Sequence, residues 1–189
     1  MQIEAQLAAL AEHMENVIQK YLRNQFATIE EYNAQAGEVA EAYRVLLVFD
    51  FPANFTEASA RRLVSIAQNG PRCGVYAIVH SDGMLMPVLD QILSTDPHCL
   101  HSIDPMAGMD IAEVKRLYGN RICLIGNVNC GMLDTGTDEE VIASARYALQ
   151  SGMPGGGYIF STSNCIYTGM RLARYELMLD VWRKEGMYR

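Results

Sequence analysis

The chain has 189 residues, of which 50% are hydrophobic and 20% charged, with a formal net charge of -7. Those values fit a compact α/β domain with a sizeable core, and the acidic balance excludes a nucleic-acid surface built on general electrostatics. No apolar run approaches the ~20 residues of a membrane span, and no basic n-region leads into an apolar h-region. A cytoplasmic protein with no membrane partner is expected.

The five cysteines are Cys73, Cys99, Cys123, Cys130 and Cys165. Their number is odd, their spacing is wide and no C-x-x-C occurs, so they read as reduced, buried thiols. A disulfide framework or a structural zinc knuckle is not expected.

From Ile3 to about Arg23, apolar residues at Ile3, Leu7, Leu10, Met14, Val17, Ile18, Tyr21 and Leu22 follow a helical stripe. Thr28 to Glu31 is a capping-box pattern that opens a second helix, interrupted at Gly37. Val45 to Phe49 is a continuous β-rich run, as for a strand covered on both faces. Thr56 caps a helix that stops at Gly70-Pro71. Gly74 to Val79 is the second predicted strand, with a helix over about Met84 to Leu93. Cys99 to Ile103 is the third strand, and its helix opens at Asp110 and closes at Gly119. Ile122 to Ile125 is the fourth. Its helix opens with the capping box Thr137 to Glu140 and ends at Gly152. Tyr158 to Phe160 is the fifth strand, and an amphipathic helix runs from about Leu172 to Trp182.

Five short apolar strands, each followed by a helix, predict a single α/β domain of repeated βα units with a five-stranded parallel sheet, preceded by helices. Periodicity leaves open whether the sheet is open and doubly wound or half of a TIM barrel.

In a parallel α/β architecture, chemistry gathers at the carboxyl ends of the strands. Those ends carry Asp50; His80-Ser81-Asp82-Gly83; Ser102 and Asp104-Pro105; Asn127 and Asn129; and Ser161-Thr-Ser-Asn-Cys165. His80 with Asp82 reads as an acid/base or metal pair, or as a turn capping the next helix. Asp104-Pro105 reads as a turn initiator or a polar contact. Asn127 and Asn129 orient a ligand or satisfy loop carbonyls. Gly155-Gly-Gly157 precedes its strand and so fails as a dinucleotide loop. His98 and His101 lie three apart in a strand, point to opposite faces and cannot form a metal pair.

The stretch Ala77-Ile-Val-His-Ser-Asp-Gly83, then Leu100-His-Ser-Ile-Asp-Pro105, Leu124-Ile-Gly-Asn127 and Gly155-Gly-Gly-Tyr-Ile-Phe160, resembles the uroporphyrinogen decarboxylase family in order and spacing. The resemblance runs to about Gly186 and implies the last four βα units of a TIM barrel. The family contains cofactor-free decarboxylases and zinc-dependent methyltransferases that serve corrinoid proteins. A tetrapyrrole or corrinoid-related small molecule is therefore the implied ligand. In the methyltransferases the position of Asp82 is typically a zinc-binding Cys, two residues after a zinc-binding His that corresponds to His80. Their last ligand is a Cys near the end of the final strand, where Asn164 stands here with Cys165 one residue later. In the decarboxylases that position is usually a His. The resemblance thus implies His80, Asp82 and Asn164 as catalytic residues. Ser81, Asp104, Asn127 and Asn129 would hold substrate, and His80, Asp82 and Cys165 would hold a zinc ion if one binds. The arginines and key Asp of the decarboxylases belong to the first half-barrel, which has no counterpart here.

The N-terminal third resembles something else. Met14-Glu-Asn-Val-Ile18, Ala27 to Asn33 and Tyr43-Arg-Val-Leu-Leu-Val-Phe-Asp50 are similar to part of an FtsK/SpoIIIE-type ATPase, with Asp50 as the magnesium-holding Walker B residue. No G-x-x-x-x-G-K-[ST] is present, so nothing cradles the phosphates and ATP hydrolysis is not expected. The two resemblances meet at Gly74 to His80. The expected organisation is a chimera, with residues 1–76 ATPase-like and residues 77–189 a half-barrel that dimerises. The expected function is that of a decarboxylase- or methyltransferase-derived barrel fragment without full catalytic competence. The alternatives are a scaffold without turnover and residual nucleotide binding at Asp50.

Overall fold

The computed structural model describes residues 2–188. Five strands form one parallel sheet in the order β1-β2-β3-β4-β5: β1 (Arg44–Phe49), β2 (Val75–His80), β3 (Cys99–His101), β4 (Cys123–Val128) and β5 (Tyr158–Thr162). Each strand lies beside its predecessor, as in a barrel. The order has no reversal of the kind that creates the switch point of a doubly wound sheet. The strand order is thus the TIM-barrel-like one and not the doubly wound one.

The chain packs as two units, residues 1–79 with 89–98 and residues 80–88 with 99–189. In the first, α1 (Gln2–Val17) packs on α3 (Glu57–Asn69), and Leu7, Met14, Val17, Leu63 and Ile66 are buried. Thr56 caps α3 through a reciprocal bond with Ser59. Thr28 caps α2 (Ile29–Ala36), its hydroxyl accepting from the Glu31 amide as the sequence predicts. A short helix α4 (Leu89–Leu93) buries Leu89, Ile92 and Leu93.

β1 departs from expectation. It is not covered on both faces: Val45, Leu47 and Phe49 are 58%, 54% and 58% exposed, whereas Val48 is buried. The reason is topological. A strand at the end of the sheet order has one neighbour, and only one face of β1 meets the helices of its unit.

In the second unit, α5 (Ile111–Tyr118), α6 (Cys130–Thr135), α7 (Asp138–Gly152) and α8 (Leu172–Glu185) accompany β3 to β5. Leu100, Leu124, Val128, Val141, Ala145 and Ala148 are buried between sheet and helices. Thr137 and Glu140 close the predicted capping box on α7. Gly152 must be glycine, because a Cβ there would lie 2.5 Å from the Tyr158 ring. β3 pairs with β4 at Cys99–Cys123 and Leu100–Leu124, and β4 pairs with β5 from Leu124–Tyr158 to Val128–Thr162. β4 runs three residues beyond the predicted end and carries Asn127 inside the ladder.

Candidate functional site

The second unit gathers polar side chains at the carboxyl ends of β2, β3 and β5. His80 is the last residue of β2 and His101 the last of β3, and the Ser81 amide donates to the His101 carbonyl at 3.0 Å. This register sets the two imidazoles side by side, with ring centroids 4.8 Å apart and Nδ1 to Nδ1 2.7 Å. One nitrogen must donate and the other accept. His101 Nε2 lies 3.2 Å from the Thr162 carbonyl, which can only accept. Its proton therefore sits on Nε2, His101 Nδ1 is the acceptor, and His80 Nδ1–H donates.

Burial pushes the His101 pKa down, and the neighbouring His80 pushes the same way against the Thr162 bond and the Asp82 charge. His101 is thus a neutral acceptor. His80 turns its other nitrogen, Nε2, toward Asp82, 3.8 Å from Oδ2. The His80 side chain is 13% exposed and that of Asp82 is 50%. Asp82 is held from two sides: its Oδ1 accepts from Ser102 Oγ and from Asn164 Nδ2, each at 3.1 Å. Asn164 is itself fixed, because its Oδ1 accepts from the Cys165 amide at 2.7 Å. Gly126 allows the backbones to close around this corner, since a Cβ there would lie 2.6 Å from the Ser102 carbonyl oxygen.

Of the residues singled out in the sequence, His80, Asp82 and Asn164 come together. Ser81 and Cys165 join them through their backbone amides, and the remaining ones do not. Asp104 caps a short turn by accepting from the Met106 amide, as its Asp-Pro pattern allowed. Asn127 is buried and donates to the Ile103 carbonyl. Asn129 caps α6, a helix the sequence did not reveal, accepting from the Gly131 and Met132 amides. Asn127 and Asn129 line a separate cavity of about 300 Å3 with Pro105, Met109, Ser144 and Tyr147. Ser81 enters through its backbone amide. Asp50 lies in the first unit, in the turn after β1, with φ +52°.

The sequence places Ser102 and Thr162 at strand ends without giving them a role, and it sets His101 aside together with His98. The signal was present for His101, because His80 and His101 each close a strand and consecutive parallel strands set their ends side by side. His98 belongs to the first unit, where its Nδ1 accepts from the Ala77 amide at 2.9 Å.

The implied zinc set does not fit. Catalytic zinc takes three protein ligands with an open fourth position. Here one oxygen of Asp82 already accepts two hydrogen bonds, His80 Nδ1 is engaged by His101, and Cys165 is exposed. Among the described residues no three His, Cys, Asp or Glu side chains are placed to hold a metal ion. The cysteines also depart from the expectation of uniform burial: Cys73 and Cys130 are buried, Cys99 and Cys123 partly accessible, and Cys165 exposed. Among the described residues no helix is long and apolar enough to cross a membrane.

A curated uroporphyrinogen decarboxylase from Thioalkalivibrio sulfidiphilus (strain HL-EbGR7) is 30% identical over 79 residues, 42% of this chain and 22% of that protein. A solved methyltransferase from Methanosarcina mazei superposes with a TM-score of 0.59 at 21% identity, covering 84% of this chain and 47% of the other. The chain thus spans about half the length of that structure, with which it shares a fold of the TIM-barrel type. The sequence also matches the uroporphyrinogen decarboxylase (URO-D) family over residues 2–185. That match includes residues 10–79, so one family accounts for the segment that resembled an ATPase as well as for the half-barrel. The chain belongs to the uroporphyrinogen decarboxylase family.

Proposed function

We propose that this chain forms the carboxyl-terminal wall of a decarboxylase-type site, in which His80 delivers a proton to an anionic tetrapyrrole substrate. The supporting observation is the 2.7 Å His80–His101 pair with Asp82 beside the far nitrogen of His80. Loss of a carboxylate as carbon dioxide leaves an electron pair on carbon, and one proton completes the product. A general acid therefore suffices, and it contributes roughly 10²–10⁴-fold. Neutral His101 fixes the tautomer and orientation of His80, and Asp82 stabilises the imidazolium before transfer. Ser102 and Asn164 keep Asp82 in place.

The donor set favours this branch over zinc-dependent methyl transfer. The opposite wall is proposed to come from a second copy, a reading supported by the exposed apolar residues of β1. The test measures loss of substrate carboxylates by chromatography with the full chain. His80→Gln is expected to lower turnover at least about 100-fold, and His101→Gln to shift the pH profile. One zinc per purified chain, with methyl transfer and no decarboxylation, would favour the methyltransferase branch. Neither activity in the unaltered chain would leave an inactive scaffold.

A further inference from the structure

A second cluster lies at the amino ends of β3 and β4, where Cys99 and Cys123 are direct partners in the parallel register. Neighbouring strands lie about 4.8 Å apart, inside the Cα separation of about 4.4–6.8 Å that a disulfide spans. Partners in register project to the same face, so the two thiols stand side by side. Both are partly accessible, unlike Cys73 and Cys130. α5 sends Lys115 to the same place, where its ammonium donates to the Gly156 carbonyl and bears on Cys123.

We propose that Cys99 and Cys123 form a two-thiol oxidation site that reduces a peroxide and closes a Cys99–Cys123 disulfide. Cys123 is the attacking sulfur. The neighbouring Cys99 thiol and the Lys115 cation outweigh burial and lower its pKa, while the neighbouring Cys123 and burial raise that of Cys99. A thiolate is the reactive form. The Cys123 thiolate attacks one peroxide oxygen, the O–O bond breaks, and a sulfenic acid forms as hydroxide leaves and takes up a proton. Cys99 then loses its proton and attacks the Cys123 sulfur; the S–S bond forms and the S–O bond breaks, releasing the second water. Two thiols and one hydrogen peroxide give one disulfide and two waters, each sulfur oxidised by one electron. This inference is independent of the proposed decarboxylation, since it uses neither His80 nor Asp82.

The experiment uses the full chain carrying Cys165→Ser, which removes the exposed cysteine, treated with equimolar hydrogen peroxide. Intact mass is expected to fall by two hydrogens, and peptide mapping without reductant to join the Cys99 and Cys123 peptides. Cys99→Ser is expected to leave Cys123 as a sulfenic acid that dimedone captures, and Cys123→Ser to abolish both products. Lys115→Gln is expected to slow the reaction several-fold and Lys115→Arg to restore it, with circular dichroism reporting an unchanged fold. Oxidation that maps to Cys73 or Cys130, or Cys99 and Cys123 that both remain open to iodoacetamide after treatment, would overturn the proposal.

Discussion

Replacing Gly126 by alanine tests whether close backbone approach, rather than backbone conformation alone, demands glycine at the candidate site. Gly126 has φ +133°, and an added Cβ would lie 2.6 Å from the Ser102 carbonyl oxygen and 3.8 Å from that of Thr162. Two costs add. A side chain held in so sparsely populated a backbone region costs about 1–3 kcal/mol, and forcing an atom into a packed site costs about 1–3 kcal/mol more. The expected loss is about 2–6 kcal/mol. At about 2–4 °C per kcal/mol for a chain of this size, that is a fall in Tm of at least about 4 °C. Gly155 supplies the control, with φ +78° and nothing within 4 Å of its Cβ position. Gly155→Ala should therefore cost only the conformational part, about 1–2 kcal/mol. Urea unfolding followed by circular dichroism measures both. Ser102 also donates to Asp82, so Gly126→Ala should disturb the His80–Asp82 corner as well. Equal losses for the two variants would refute the argument that the Ser102 approach matters.

Folding stability should fall as pH drops from about 7.5 to 5. Burial lowers the pKa values of His13, His98 and His101, so below about 6.5 the unfolded chain binds protons that the folded chain refuses. The urea midpoint at the two pH values reports this, and His101→Gln should reduce the difference. Thr137→Ala removes the hydroxyl that accepts from the Glu140 amide and should cost about 1 kcal/mol, seen as a lower Tm. Leu47→Lys lies on the exposed face of β1. It should change stability by less than about 0.5 kcal/mol, while light scattering reports weaker self-association if a second copy covers that face.

Much of the fold was legible because its signals are local. The capping patterns at Thr28, Thr56 and Thr137 each mark a helix start that the structure retains. The five apolar runs each became a strand. What failed was information that depends on neighbours. The run Val45 to Phe49 looks like a doubly covered strand, yet burial belongs to the sheet order, and an end strand keeps an open face. The helix that Asn129 caps was not legible, because six residues leave too little periodicity to be seen.

The sequence alone determined that titratable and amide side chains would stand at strand ends, since apolar runs end where polar residues begin. Family membership was likewise carried by short motifs in series. Only the tertiary structure decided which of those residues meet. His80 and His101 are separated by 21 positions, and their contact exists because the Ser81 amide donates to the His101 carbonyl, which sets the two residues side by side. The Asn164–Asp82 bond spans 82 positions and depends on where β5 ends. Local periodicity sets which residues a strand displays. Register and sheet order, fixed by long-range hydrogen bonds and packing, set what each one touches.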